Sequence, residues 1–195
     1  MAGRVWYAGY GSNLNRQRFL CYILGGRPRY GRKHHGGSRD AAPPGGSRIV
    51  VARHRLYFAL PEGRSGTENW GRGGVAFIEP EIDESAETVC RMWMITGEQY
   101  EDVKEQEGRV WYDKEMELGE EAGVPILTVT HSRRLQQILP PSHAYLRTIA
   151  AGLRETAGLS ADQTVDYFMD KPGIKGKMTR YEIMRILGDL AEDGP

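Results

Sequence analysis

A chain of 195 residues, 39% of them hydrophobic, is long enough to bury a sizeable core within one domain. No stretch approaches the roughly 18 apolar residues of a membrane span, the opening residues hold no apolar run of signal length, and Cys21 and Cys90 lack metal-ligand or disulfide-framework spacing. Net charge is zero, but residues 1–75 carry 13 Lys/Arg against 3 Asp/Glu, leaving 13 against 23 for the rest, so the two portions are +10 and −10. The chain therefore reads as cytoplasmic, with buried thiols and no membrane segment. No basic stripe is interleaved with aromatics, so mutual neutralisation within the fold is expected in preference to nucleic-acid binding.

Arg4 to Tyr7, β-branched or aromatic, predicts a strand, and Phe19, Leu20, Ile23 and Leu24 recur at helical spacing. Tyr10-Gly11-Ser12-Asn13-Leu14 then lies at a strand-to-helix turn, with Ser12 or Asn13 as the cap. Backbone N–H groups at a helix start lack partners, and glycine permits close approach, which suits a carboxylate, phosphate or oxyanion. On this reading the loop's N–H groups, rather than Arg16 or Arg18 in the helix, hold the anion; a turn that only reverses the chain is the alternative. Gly25 to Ser47 has no apolar period and reads as a long, mobile surface loop, in which His34 and His35 lack spacing to a third metal ligand.

Arg48 to Leu60 alternates, with Val50, Ala52, Leu56, Phe58 and Leu60 inward, and predicts one strand with His54 as a hydrogen-bonded core residue. Val75–Ile78 and Thr88–Ile95 predict two strands of a hairpin. Thr96-Gly97-Glu98-Gln99 has capping-box spacing and Gly108 is a natural C-cap, so Glu107 ends a short helix. There it faces the negative end of the dipole, a poor place for a fixed charge. Val110 to Leu118 alternates, with Tyr112 inward and Trp111 outward, and Pro125 to Thr130 completes about six strands. Pro140-Pro141-Ser142 opens a helix that Gly158 ends. Ser160-x-x-Gln163 and Thr179-x-x-Glu182 cap two more, the last with Ile183, Ile186, Leu187 and Leu190 as its stripe.

Four motifs in this order resemble the γ-glutamylcyclotransferase superfamily: Tyr10-Gly11-Ser12-Asn13-Leu14 after a strand, Gly73-Gly74-Val75-Ala76, Glu105-Gln106-Glu107-Gly108, and Pro140-Pro141-Ser142-x-x-Tyr145. The resemblance covers about residues 4–155. It implies a mixed α+β fold around a small β-barrel with flanking helices, residues 1–158 forming that domain and 159–195 a helical extension packed on it. It also implies Glu107 as acid/base, a substrate loop at Tyr10, Gly11, Ser12, Asn13 and Leu14, and positioning tyrosines at Tyr112 and Tyr145. The reaction implied is cofactor-independent cyclisation of a γ-glutamyl group to 5-oxoproline, with release of an amine or amino acid and no metal. A non-catalytic module that binds a small acidic metabolite or a partner protein is the alternative, and monomer and homodimer both stay open.

The sequence departs from the pattern at Gly9, where alanine or a larger residue is usual, and at Cys90-Arg91-Met92-Trp93, where a glycine-led valine-rich strand is usual. A looser substrate loop is the expected result. Dinucleotide binding through Gly9-x-Gly11 fails, because Leu14 replaces the third glycine and no acid appears before Asp40. Lys171 to Lys177 likewise lacks P-loop spacing.

Overall fold

The computed structural model describes residues 3–188. Its central strand is β1 (Arg4–Gly9), in which every residue after Arg4 is buried, so both faces of the strand carry a core. Successive side chains of a strand alternate between faces. Val5 and Tyr7 pack with Phe19, Tyr22, Trp93, Tyr100 and Val103, whereas Trp6 and Ala8 enter a larger core with Phe58, Phe77, Leu146 and Phe168. The first core lies beneath helices α1 (Arg16–Leu24) and α2 (Gly97–Glu107).

Strands β2 (Ser47–Ala52), β7 (Thr88–Thr96), β8 (Lys114–Glu121) and β9 (Val124–Thr130) join β1 in a five-stranded sheet of order β2-β7-β1-β9-β8, with β1 and β9 parallel. Strands β3 (Leu56–Leu60), β6 (Val75–Ile78) and β10 (Gln137–Ile138) form a second sheet of order β10-β3-β6, and β4 (Gly66–Thr67) pairs with β5 (Gly71–Arg72). The five-stranded sheet curls enough for Arg48 on one edge strand to form an ion pair with Glu121 on the other.

Two strand assignments differ from the sequence pattern. The alternation from Arg48 to Leu60 is broken at Arg53-His54-Arg55, which carries the chain from one sheet to the other. His54 is buried at that corner, with Nδ1 2.9 Å from the Glu79 carbonyl. The strands β6 and β7 are also not a hairpin: β6 pairs with β3, and β7 lies between β1 and β2. Alternation defines which residues face a core and is silent on which strand lies alongside.

Helix signals, being local, fare better. α2 carries the Thr96–Gln99 capping box, and α3 (His143–Ala157) starts at Ser142 and ends at Gly158 in the left-handed region. α4 (Ala161–Met169) carries the Ser160–Gln163 box. In α5 (Arg180–Gly188), Thr179 and Glu182 exchange their hydrogen bonds, and Ile183, Ile186 and Leu187 are buried, while Leu190 lies outside the described residues. Val165, Phe168, Ile183 and Ile186 belong to the same core as β3 and β6. Among the described residues no helix is long and apolar enough to cross a membrane.

The segment from Gly25 to Gly46 has no regular structure beyond a bridge between Gly26 and His35, yet it is tied down. His35 is buried edge-on against Tyr22 at 4.8 Å, Asn69 accepts the backbone N–H groups of Arg32 and Lys33, and Gln99 donates to the carbonyls of Asp40 and Ala42. The expected mobility does not fit so many anchors.

Candidate active site

α2 ends on Glu107, and the chain leaves through Gly108 at φ 90°, a backbone angle that glycine adopts without strain. The half-buried carboxylate is held from beneath by two donors: Asn13 Nδ2 reaches Oε1 at 2.5 Å and the Tyr7 hydroxyl reaches the same oxygen at 3.1 Å. Asn13 Nδ2 also donates to the Tyr7 hydroxyl at 2.8 Å, so three side chains from a strand, a loop and a helix end form one cluster. Burial, and then the Glu107 charge, push the Tyr7 hydroxyl well above its ordinary pKa, and it remains a donor at any working pH.

The loop between β1 and α1 is folded more tightly than the sequence suggests. Ser12–Leu14 is a turn of 3-10 helix, and α1 starts only at Arg16, capped by the Asn15 side chain, which accepts the Arg18 N–H. The expected caps Ser12 and Asn13 are thus corrected to Asn15. An anion does sit at this helix start, but it is the protein's own: the Glu155 carboxylate takes the Arg16 N–H at 2.9 Å and Asn15 Nδ2 at 2.6 Å, with Arg91 at 3.1 Å. A Cβ on Gly9 would stand 2.7 Å from the Asn13 Cβ, so the glycine tightens the loop, contrary to the looser loop expected. Trp93, from the divergent strand β7, donates Nε1–H to the Asn13 carbonyl at 3.0 Å and supports the same turn.

A small inner chamber of about 30 Å³ lies against Glu107, lined by Tyr7, Tyr10, Gly11, Ser12, Asn13, Ala76, Tyr112, Val129 and Tyr145. It opens beside a larger cavity of about 390 Å³ that shares Ser12, Glu107, Tyr112 and Tyr145. Tyr10 donates to the Val129 carbonyl at 2.8 Å and Tyr112 to the Ala76 carbonyl at 3.1 Å. Tyr145 is different. Its oxygen accepts the Ala76 N–H at 3.1 Å and lies against the Ser12 N–H, which leaves its own proton to be given elsewhere. Burial pushes this hydroxyl up to about 12, so it too stays protonated.

The structure therefore brings together Tyr10, Gly11, Ser12, Asn13, Glu107, Tyr112 and Tyr145. Leu14 is the exception. It is wholly buried in the larger core against α3 and lines neither chamber, because the 3-10 turn rotates it away from the loop's open side. The strand expected from Val110 starts at Lys114; residues 109–113 form a turn that places both Trp111 and Tyr112 on the larger cavity, and Val110 in solvent.

Comparison with solved structures gives a γ-glutamyl cyclotransferase at 18% identity and TM-score 0.61, with 98% of this chain matched to 99% of that one. An uncharacterized human protein matches at 20% identity and TM-score 0.59, over 96% of this chain and 99% of that one. The chain has the γ-glutamylcyclotransferase-like fold. YkqA from Bacillus subtilis shares this γ-glutamylcyclotransferase-like architecture at TM-score 0.53 and 18% identity, over 84% of this chain and 52% of that one. No family model matches the chain. Among curated proteins, one named histone deacetylase 5 from Arabidopsis thaliana is 32% identical over 209 residues, which is 86% of this chain and 31% of that protein. The chain thus spans under a third of that relative, whose name is given to the whole protein.

Beyond the residues singled out by motif, the candidate site contains Tyr7, Arg18, Tyr22, Trp70 and Trp111. Tyr7 was legible only as a strand aromatic, since nothing in a sequence marks its hydroxyl as a donor to a residue 100 positions away. Arg18 falls on a position that the apolar spacing of α1 assigns to solvent, yet it is buried, while Leu24 from the expected apolar face is 52% exposed.

Proposed function

We propose that the chain is a cofactor-independent γ-glutamyl cyclotransferase in which Glu107 carries the proton. The observation that supports this most directly is the Glu107 carboxylate fixed by Asn13 and Tyr7 at the mouth of a chamber lined by tyrosine hydroxyls. In this mechanism the γ-glutamyl group folds so that its own α-amine faces its γ-carbonyl. Glu107 takes a proton from the α-ammonium, the freed amine attacks the carbonyl carbon, and the oxygen that gains charge is met by the unspent Tyr145 proton. Glu107 then returns its proton to the leaving nitrogen as the C–N bond breaks, and the second proton of the attacking nitrogen passes through the same carboxylate to the departing amine, releasing 5-oxoproline and an amine or amino acid in its ammonium form. One carboxyl serves as base and then acid.

The test is incubation with a panel of γ-glutamyl amino acids and γ-glutamyl amines, without added metal or nucleotide, and detection of 5-oxoproline by mass spectrometry. Cyclisation of at least one is the expected result. Binding without turnover across the panel would leave the chain a binding module for a small acidic metabolite.

A further inference from the structure

We infer that Arg18 is a specificity residue of the larger cavity, where it receives a carboxylate carried by the leaving group, so that the substrates are γ-glutamyl amino acids or peptides rather than γ-glutamyl amines. The inference rests on the cyclotransferase reading above. Arg18 is 3% exposed, the one side chain of permanent charge buried to this degree among the described residues. Among the described residues it makes no ion pair with a carboxylate. Nη2 donates to the Tyr22 hydroxyl at 2.5 Å and the guanidinium lies 4.0 Å over the Tyr22 ring, but Nε and Nη1 have no protein partner. Burying guanidinium donors without partners is unfavourable, and a bound anion would offset that cost.

Among the described residues no carboxylate bonds Nε or Nη1. The Glu107 charge favours the Arg18 cation, but that carboxylate is hydrogen-bonded to Asn13 and Tyr7 and not to Arg18, Glu105 is exposed and paired with Arg109 at 2.6 Å, and Glu68 is exposed. Lys33 and Arg64, also on the cavity wall, are exposed cations at its rim. Three further buried polar atoms without hydrogen-bond partners belong to residues of this cavity: His35 Nε2, Asn69 Nδ2 and Gln106 Oε1. The floor is thus built of polar groups that still have bonding capacity. Arg18 lines the larger cavity and not the inner chamber where the tyrosine hydroxyls meet Glu107, so a carboxylate it holds lies outside that chamber, where the leaving group is placed when the γ-carbonyl faces Glu107 and Tyr145. A space of about 390 Å³ accommodates an amino acid side chain and its carboxylate.

The experiment compares a γ-glutamyl amino acid with the γ-glutamyl amine that lacks only the carboxylate, in the wild type, Arg18→Met and Arg18→Lys, with folding checked by circular dichroism. In the wild type kcat/KM favours the acid substrate by tenfold or more. In Arg18→Met that preference falls by on the order of 10–100-fold, as expected for one charged hydrogen-bonding partner, and Arg18→Lys retains part of it. Equal losses on both substrates, or a shifted pH–rate profile with the preference intact, would overturn the inference and make Arg18 a partner of Glu107 or of the glutamyl group. If the wild type cyclises neither substrate, the cyclotransferase reading fails by itself, and the subsite is read by calorimetry with an N-acetyl amino acid against its carboxamide. Carboxylate-dependent binding lost in Arg18→Met supports the subsite, and equal binding of the two probes refutes it.

Discussion

Tyr7 and Asn13 determine where the Glu107 carboxylate points, since both donate to the same oxygen. Tyr7→Phe keeps the ring stacked on Phe19 at 5.6 Å and removes only the hydroxyl. Steady-state kinetics on a γ-glutamyl amino acid should show kcat reduced by about tenfold with KM little changed, the size expected from loss of one charge-assisted hydrogen bond. Gly11 is constrained from the other side of the chamber: a Cβ there would lie 2.8 Å from the Tyr145 hydroxyl and 3.1 Å from the Ala76 Cβ. Gly11→Val should therefore displace Tyr145 and cut kcat/KM by at least 10², whereas Arg16→Ala, on the exposed start of α1, should leave it within twofold. Comparable kinetics for the two variants would show that the close packing around Gly11 is not needed for turnover. At this scale the motif residues were legible because each carries a distinctive residue type. Tyr7 and Arg18 were not, since their roles come from what folds over them.

Helices α2 to α5 carry local signals and were read correctly, whereas the cap of α1 moved to Asn15 and elements defined by long-range pairing were misread. An N-cap or capping box is set within four residues, so Thr96, Ser142 and Ser160 could be assigned from sequence. The corner at His54, whose ring meets the carbonyl of Glu79, 25 positions on, and the placement of β7 between β1 and β2 depend on distant partners, which a period of two cannot encode. The burial of Arg18 has the same origin, because the residue that packs beside it, Trp70, arrives from beyond β4. Thr96→Ala should lower stability by about 1 kcal/mol in urea denaturation, the usual cost of an N-cap. As Thr96 lies eleven residues before the last residue of α2, the folded protein should keep its kcat. A kcat loss without a stability loss would mean that the start of α2, and not its end, controls the site.

Across the whole molecule, the basic first part and acidic remainder neutralise each other: Arg39 pairs with Glu98 and Asp102, Arg48 with Glu121, Arg53 with Glu87, and Arg55 with Asp83. Each exposed pair is worth little alone. A sharper global signature comes from His35, whose pKa is lowered from 6.5 to about 4 by burial and by the Arg18 and Lys33 charges, with His34 adding a smaller push. The folded state holds it neutral while the unfolded chain protonates it near 6.5, so the unfolded state binds more protons between about pH 4 and 6.5. Stability contributed by neutral His35 is present above pH 6.5 and is lost as pH falls toward 4, by about 2–3 kcal/mol across that window. Thermal melts should show this slope in the wild type and a flatter one in His35→Gln; identical slopes would remove His35 from the pH response. Whether Glu107 carries the proton in cyclisation is decided by comparing turnover of Glu107→Gln with that of Glu105→Gln. Glutamine at 107 can still accept from Asn13 and Tyr7 but cannot carry the proton, so kcat should fall by about 10² or more with binding and stability retained. Glu105→Gln, which alters an exposed residue paired with Arg109, should remain near wild type. Equal activity in the two variants would show that Glu107 does not carry the proton.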